Sequence, residues 1–272
     1  MGNNHILLAF IVTTFAGLST GIGAAMAFFT KRNNKKFLSA SLGFSAGVMI
    51  FVSFVEIWSE SNSLFNENFP EHLAFLYTML SFFGGILLIL IIDRLIPSYE
   101  NPHDVKSIDD LEKVSLDEGA KLKRLGIFTA FAIAIHNFPE GIATFASMLN
   151  DPTIGFSIAI AIALHNIPEG IAIAVPLYHS TGDRKKSFWL SLLSGMAEPL
   201  GAVFAFLLMS LFVEFTSTTY GIIYGVVDGI MVFISLDELL PAAKEYNMGH
   251  IAVYGLIAGM IAMGVSMFLF ML

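Results

Sequence analysis

Eight long apolar runs, parted by short polar breaks, limit what this 272-residue chain can fold into. They lie near 6–29, 37–58, 72–92, 126–149, 153–178, 187–212, 218–240 and 250–271. Each is long enough for the roughly 20 residues that carry a helix across a bilayer. An open strand in lipid would leave its N–H and C=O groups without partners, so the runs predict an all-α membrane protein of eight transmembrane helices, a single domain over 1–272. The charged share is only 13%, about half that of a soluble domain. With 14 Lys+Arg against 22 Asp+Glu, the chain lacks the basic surface that a nucleic-acid partner requires. The expected partner is the lipid bilayer. There is no Cys, which excludes disulfides and leaves nitrogen and oxygen as the donors for any metal.

The positions of the basic residues give the orientation. Lys31, Arg32, Lys35 and Lys36 follow the first run; Arg94, Lys106, Lys113, Lys121, Lys123 and Arg124 lie in 93–125; Arg184, Lys185 and Lys186 precede the sixth run, and Lys244 follows the seventh. The segments 59–71, 150–152 and 213–217 and both termini carry none. The basic segments alternate, so the positive-inside rule makes them cytoplasmic and sends both termini to the periplasmic or extracellular side of the cell (inner) membrane. Trp58 and Trp189 fall near span ends, where interfacial anchors belong. Because its basic cluster follows the apolar run, the first run reads as a span and not as a signal peptide. The mixed-charge segment 93–125 reads as a solvated cytoplasmic loop with a single His, His103.

Three internal similarities follow. FAIAIHNFPEGIA (131–143) matches IAIALHNIPEGIA (160–172) at ten of thirteen positions. GLSTGIGAAMAF (17–28) resembles GMAEPLGAVFAF (195–206), and SAGVMIFVSFVE (45–56) resembles VDGIMVFISLDE (227–238). The related spans run in opposite directions, which predicts a 3+2+3 arrangement with inverted repeats. Such repeats mark transporters whose site lies near the midplane.

The intramembrane polar residues concentrate there. His136 and Glu140 are i,i+4 and share a helix face, with Asn137 beside them; His165, Asn166 and Glu169 repeat the pattern. Glu198 lies in the sixth run. A charge at the centre of a span costs roughly 2.5–3.5 kcal/mol, and every Lys and Arg is placed outside the spans. The carboxylates must therefore be protonated, hydrated or bound to a cation. Two imidazoles, two amides and three carboxylates suit a divalent transition metal, and carboxylates on facing helices suit a second, bridged ion. Pro139 and Pro168 loosen each helix beside its His. Two readings from other classes stand beside transport: an intramembrane metalloenzyme, and a structural membrane protein stapled by metal. The first would call for a motif such as His-Glu-x-x-His, which the sequence does not contain.

HNFPEG (136–141) and HNIPEG (165–170) resemble the paired signatures of the ZIP (Zrt/Irt-like) metal transporter family. LHNIPEG (164–170), GMAEPLG (195–201) and LDELLPAAKE (236–245) are similar to its bacterial branch. The resemblance covers nearly the whole chain. It implies uptake of divalent metal into the cytoplasm, zinc first, with iron, manganese and cobalt compatible. It implies a transporter and not an enzyme, with no catalytic cofactor, the metal being the cargo. Carried onto this sequence, one ion would use His136, Glu140, His165 and Glu169. A neighbouring ion would use Asn137, Asn166 and Glu198, with Glu140 and Glu169 bridging. Homodimers are also implied. The chain departs from many relatives in having no His-rich loop and in carrying Asp237 where they have His.

Other residues stay open. Asp228 either lines the pathway or makes a buried polar contact. Glu56, Glu60, Glu67, Glu71 and His72 read as an acidic outer vestibule or as a solvated loop. Asp237, Glu238 and His179 are candidates for receiving the ion on exit. Gly17/Gly21, Gly43/Gly47, Gly225/Gly229 and Gly255/Gly259 have the spacing of helix-packing pairs. Met260, Met263, Met267 and Met271 read as lipid-facing or core filler.

Overall fold

The computed structural model describes residues 3–27, 35–95, 130, 134, 137–211, 216–245 and 249–270. Among them, every regular element is a helix. These are α1 (Asn3–Ala27), α2 (Lys35–Val52), α3 (Trp58–Asn66), α4 (Glu71–Leu95), α5 (137–150), α6 (Pro152–Thr181), α7 (Arg184–Gly195), α8 (Ala197–Leu211), α9 (Ser217–Ile234), α10 (Leu240–Glu245) and α11 (Ile251–Phe270). Single π turns, Ser53–Ile57 and Ser235–Leu239, join α2 to α3 and α9 to α10. Among the described residues, seven stretches are long and apolar enough to cross a membrane. They correspond to seven of the eight expected spans. Most of the fourth span before 137, including His136, and nearly all of 93–125 lie outside the described residues.

One expectation needs correction. The segment 59–71 is not a loop throughout, because the second span continues through its π turn as helix to Asn66. Its polar sequence hides one apolar face: Leu64 and Phe65 are buried, and Ser61 donates to the Gly221 carbonyl at 2.7 Å. Trp58, at the start of α3, stacks edge-on against Phe82 of α4, with ring centroids 5.3 Å apart. The sixth span runs as one apolar stretch over Arg184–Ser210, with a single turn residue, Met196, between α7 and α8; its N–H still reaches the Leu192 carbonyl. Pro199 falls in the first turn of α8, where its missing N–H costs nothing.

Side chains define the other ends. Asp151 accepts from the Thr153 N–H at 2.7 Å and caps α6, with Pro152 at its first position. Asp183 caps α7 in the same way, at 3.1 Å. Gly182 closes α6 at φ 67°, a left-handed conformation that only glycine enters without penalty. Phe15, Leu80, Leu200 and Ile261 are exposed on four different helices. An apolar belt of that kind belongs against lipid.

The helices meet where side chains are smallest. α2 lies along α11, α9 along α4, and α1 along α6. The close approaches come in equivalent pairs under the sequence repeat. A β-carbon on Gly259 would strike the Phe44 carbonyl, and one on Gly85 the Val226 carbonyl. Phe44 and Val226 are equivalent positions in the aligned repeats. One on Gly170 would strike the Thr20 carbonyl, and one on Gly141 that of Glu198. Gly17 and Gly195 each press against the other's carbonyl, the reciprocal contact expected on a two-fold axis. Met263 and Met267 are buried in the main apolar core, so these two fill the interior and do not face lipid.

Candidate metal centre

The described polar residues of the two repeated signatures are buried at the heart of the bundle. Asn137, His165, Asn166, Glu169 and Glu198 are 0% exposed, and Glu140 is 1% exposed. α5 supplies Asn137 and Glu140; α6 supplies His165, Asn166 and Glu169. Glu198 enters from the first turn of α8. The Glu-Pro pair at 198–199 follows closely on the single turn residue at Met196.

Contacts between helices tie these residues together. His165 Nε2 lies 3.0 Å from Glu140 Oε1 and 3.1 Å from Oε2, so an imidazole of α6 clamps the carboxylate of α5. Asn166 Nδ2 donates to Glu198 Oε1 and, at 3.0 Å, to the Ala16 carbonyl of α1. Asn137 Nδ2 donates to the Ser194 carbonyl of α7 at 3.3 Å. The oxygens Asn137 Oδ1 and Asn166 Oδ1 are buried without a hydrogen bond among the described residues. Buried acceptors of that kind call for an explanation, and a cation supplies one. α2 reaches the same level: Ser45 Oγ donates to the His165 carbonyl at 3.3 Å.

The structure thus brings Glu140 to His165 and Asn166 to Glu198. Among the described residues, no three His, Asp or Glu side chains converge on one point as a preformed metal cage. Of the secondary candidates, Asp237 is exposed and Glu56 half-buried. The side chains of His179 and Glu238 lie outside the description. Helix periodicity places His165 and Glu169 on one face but does not give the contacts between helices: the His165–Glu140 pair runs from one repeated signature to the other, and Asn166 reaches Glu198 outside both.

The chain fits a known class of membrane protein. The family described as ZIP Zinc transporter matches residues 107–267. A zinc transporter ZupT of Streptococcus mutans is 56% identical over 269 residues, covering 98% of this chain and 99% of that relative. One from Oceanobacillus iheyensis is 54% identical over 267 residues, 98% of this chain and 99% of that protein. One from Chlorobium chlorochromatii is 52% identical over 267 residues with the same coverage. The chain belongs to the ZIP zinc transporter family.

Proposed function

We propose that this protein carries divalent transition metal, zinc first and iron, manganese or cobalt after it, across the cell membrane into the cytoplasm. The route passes through His136, Asn137, Glu140, His165, Asn166, Glu169 and Glu198. The observation that carries this reading is the interhelical pairing of Glu140 with His165 and of Asn166 with Glu198, all at full burial. The relatives' zinc transporter names agree with it. Carboxylates at that depth have no Lys or Arg beside them in the sequence, and a divalent cation supplies the missing positive charge. An arriving ion would shed water and take the oxygen lone pairs that His165 and Asn166 now engage. Two carboxylate-bearing helices facing each other suit a second, bridged ion. Five of the seven donor side chains offer carboxylate or amide oxygen of moderate affinity, which favours release.

The single domain is read as three helices, a central pair and three more, inverted about the reciprocal Gly17–Gly195 contact. Both termini face outward, with 66–71 and 150–152 at the outer end. The homodimer implied by the family resemblance is carried as part of the same reading. A competition assay tests the function: zinc uptake into proteoliposomes, challenged with Fe²⁺, Mn²⁺ and Co²⁺, with and without a pH gradient. Flux of zinc supports the reading. Tight zinc binding without flux supports a metal staple instead.

A further inference from the structure

Outside the midplane group, one carboxylate is wholly buried among the described residues. Asp228 of α9 is 0% exposed, and neither of its oxygens makes a hydrogen bond of normal geometry among the described residues. The side chain acting on it is the hydroxyl of Ser53, itself 0% exposed and without another partner among the described residues. Ser53 opens the π turn of the second span, and the Trp58 N–H reaches back five residues to its carbonyl. Turns of this type concentrate at functional sites.

The repeat provides an internal control. Asp228 is equivalent to Ala46, which is also 0% exposed, so the helix packing is achieved at the matching position without a carboxylate. Ser53 is equivalent to Ser235, which also opens a π turn. Ser235 returns its hydroxyl to the Met231 carbonyl at 2.7 Å. Among the described residues Ser53 Oγ makes no such bond to the equivalent Met49 and stays unbonded near Asp228.

Polar groups lead from this position to one end of the bundle. Tyr224, one turn before Asp228, sets its buried hydroxyl beside Ser147 and Asn150. Asn150 donates to Glu60 at 3.5 Å, and Glu60 stands in the field of Glu56, Asp151 and Glu67. In the other direction, Ser45 touches the His165 backbone, and Ser53 lies eight residues beyond it on the same helix, about 12 Å at 1.5 Å per residue.

We propose that Asp228 and Ser53 form a second, separate cation site for a partly hydrated divalent metal, placed between the acidic end and the midplane group. Its donors are all oxygen: the Asp228 carboxylate, the Ser53 hydroxyl, nearby backbone carbonyls and retained water. It therefore suits an ion that has not yet given up its hydration shell. As a stage in transport it rests on the function proposed above; as a binding site it does not.

The test is equilibrium zinc binding to the full chain in lipid nanodiscs. The background is Glu140→Gln, Glu169→Gln and Glu198→Gln, which removes the midplane carboxylates. The expected result is residual zinc binding that adding Asp228→Asn abolishes and adding Ser53→Ala weakens by about tenfold, as loss of a supporting group does at other metal sites. Asp228→Asn preserves volume, and Ser53→Ala provides a second arm should the first impair folding. Residual binding that survives both substitutions overturns the proposal, as does a background that binds no zinc. Failure of the transport reading shows separately, as absence of zinc flux in the unaltered protein.

Discussion

Asn137 and Asn166 make the same contact with equivalent partners. Asn137 donates to the Ser194 carbonyl at 3.3 Å and Asn166 to the Ala16 carbonyl at 3.0 Å, and Ala16 and Ser194 are equivalent positions in the repeat. The symmetry then breaks where chemistry is needed. Asn166 also holds Glu198, whereas the position equivalent to Glu198 is Thr20. One contact repeated in sequence-equivalent positions thus frames the buried carboxylates Glu140, Glu169 and Glu198.

Close glycine contacts set how tightly that framework closes. Gly195→Val would push a branched side chain into the Gly17 carbonyl and Thr20 and should destabilise the protein by about 1–3 kcal/mol, the usual cost of overpacking. Gly84, which has open space around it, serves as the control. Gly84→Ala should leave stability within about 0.5 kcal/mol or raise it slightly. Thermal unfolding in detergent micelles reads both.

The Asp151 cap makes a local prediction. Asp151→Ala leaves the Thr153 N–H without its acceptor and should cost about 1 kcal/mol, while Asp151→Asn retains a good cap. Amide exchange at the start of α6 should speed up in the Ala variant alone. Equal protection in the two would show that Pro152 and tertiary packing hold this end without the cap.

Sidedness can be read with single cysteines, because the native chain has none. Ser63 and Lys185 are both exposed and lie on opposite sides in the proposed topology. A membrane-impermeant maleimide added to intact cells should label Ser63→Cys and spare Lys185→Cys. The reverse pattern would invert the topology.

The spans were legible in the sequence because burial in lipid forbids charge over some twenty residues at a time, a constraint written in one dimension. The polar signatures were legible because they are duplicated. Other features depend on what a segment meets in three dimensions. The helix from Trp58 to Asn66 looks polar until Leu64 and Phe65 find α4 and α9. The π turns at Ser53 and Ser235 involve one residue's change of hydrogen-bond register, and no residue type demands that. The turn residue at Met196 did leave a signal, a Pro one residue after a buried Glu, within an apolar run that continues across it. The Glu140–His165 pair was out of reach of periodicity, which relates residues on one helix and not on two.

The central claim is that metal crosses by way of the buried carboxylates, and Glu169 tests it most directly. Its side chain is 0% exposed and sits one helical turn beyond His165. The measurement is zinc entry into proteoliposomes loaded with a zinc-sensitive dye, comparing the native chain with Glu169→Ala at equal incorporation and similar thermal stability. The account predicts rapid entry for the native chain and a loss of about tenfold or more for the variant, in line with the 10- to 100-fold effects seen when a metal site loses even a supporting group. Uptake by Glu169→Ala at the native rate would contradict it.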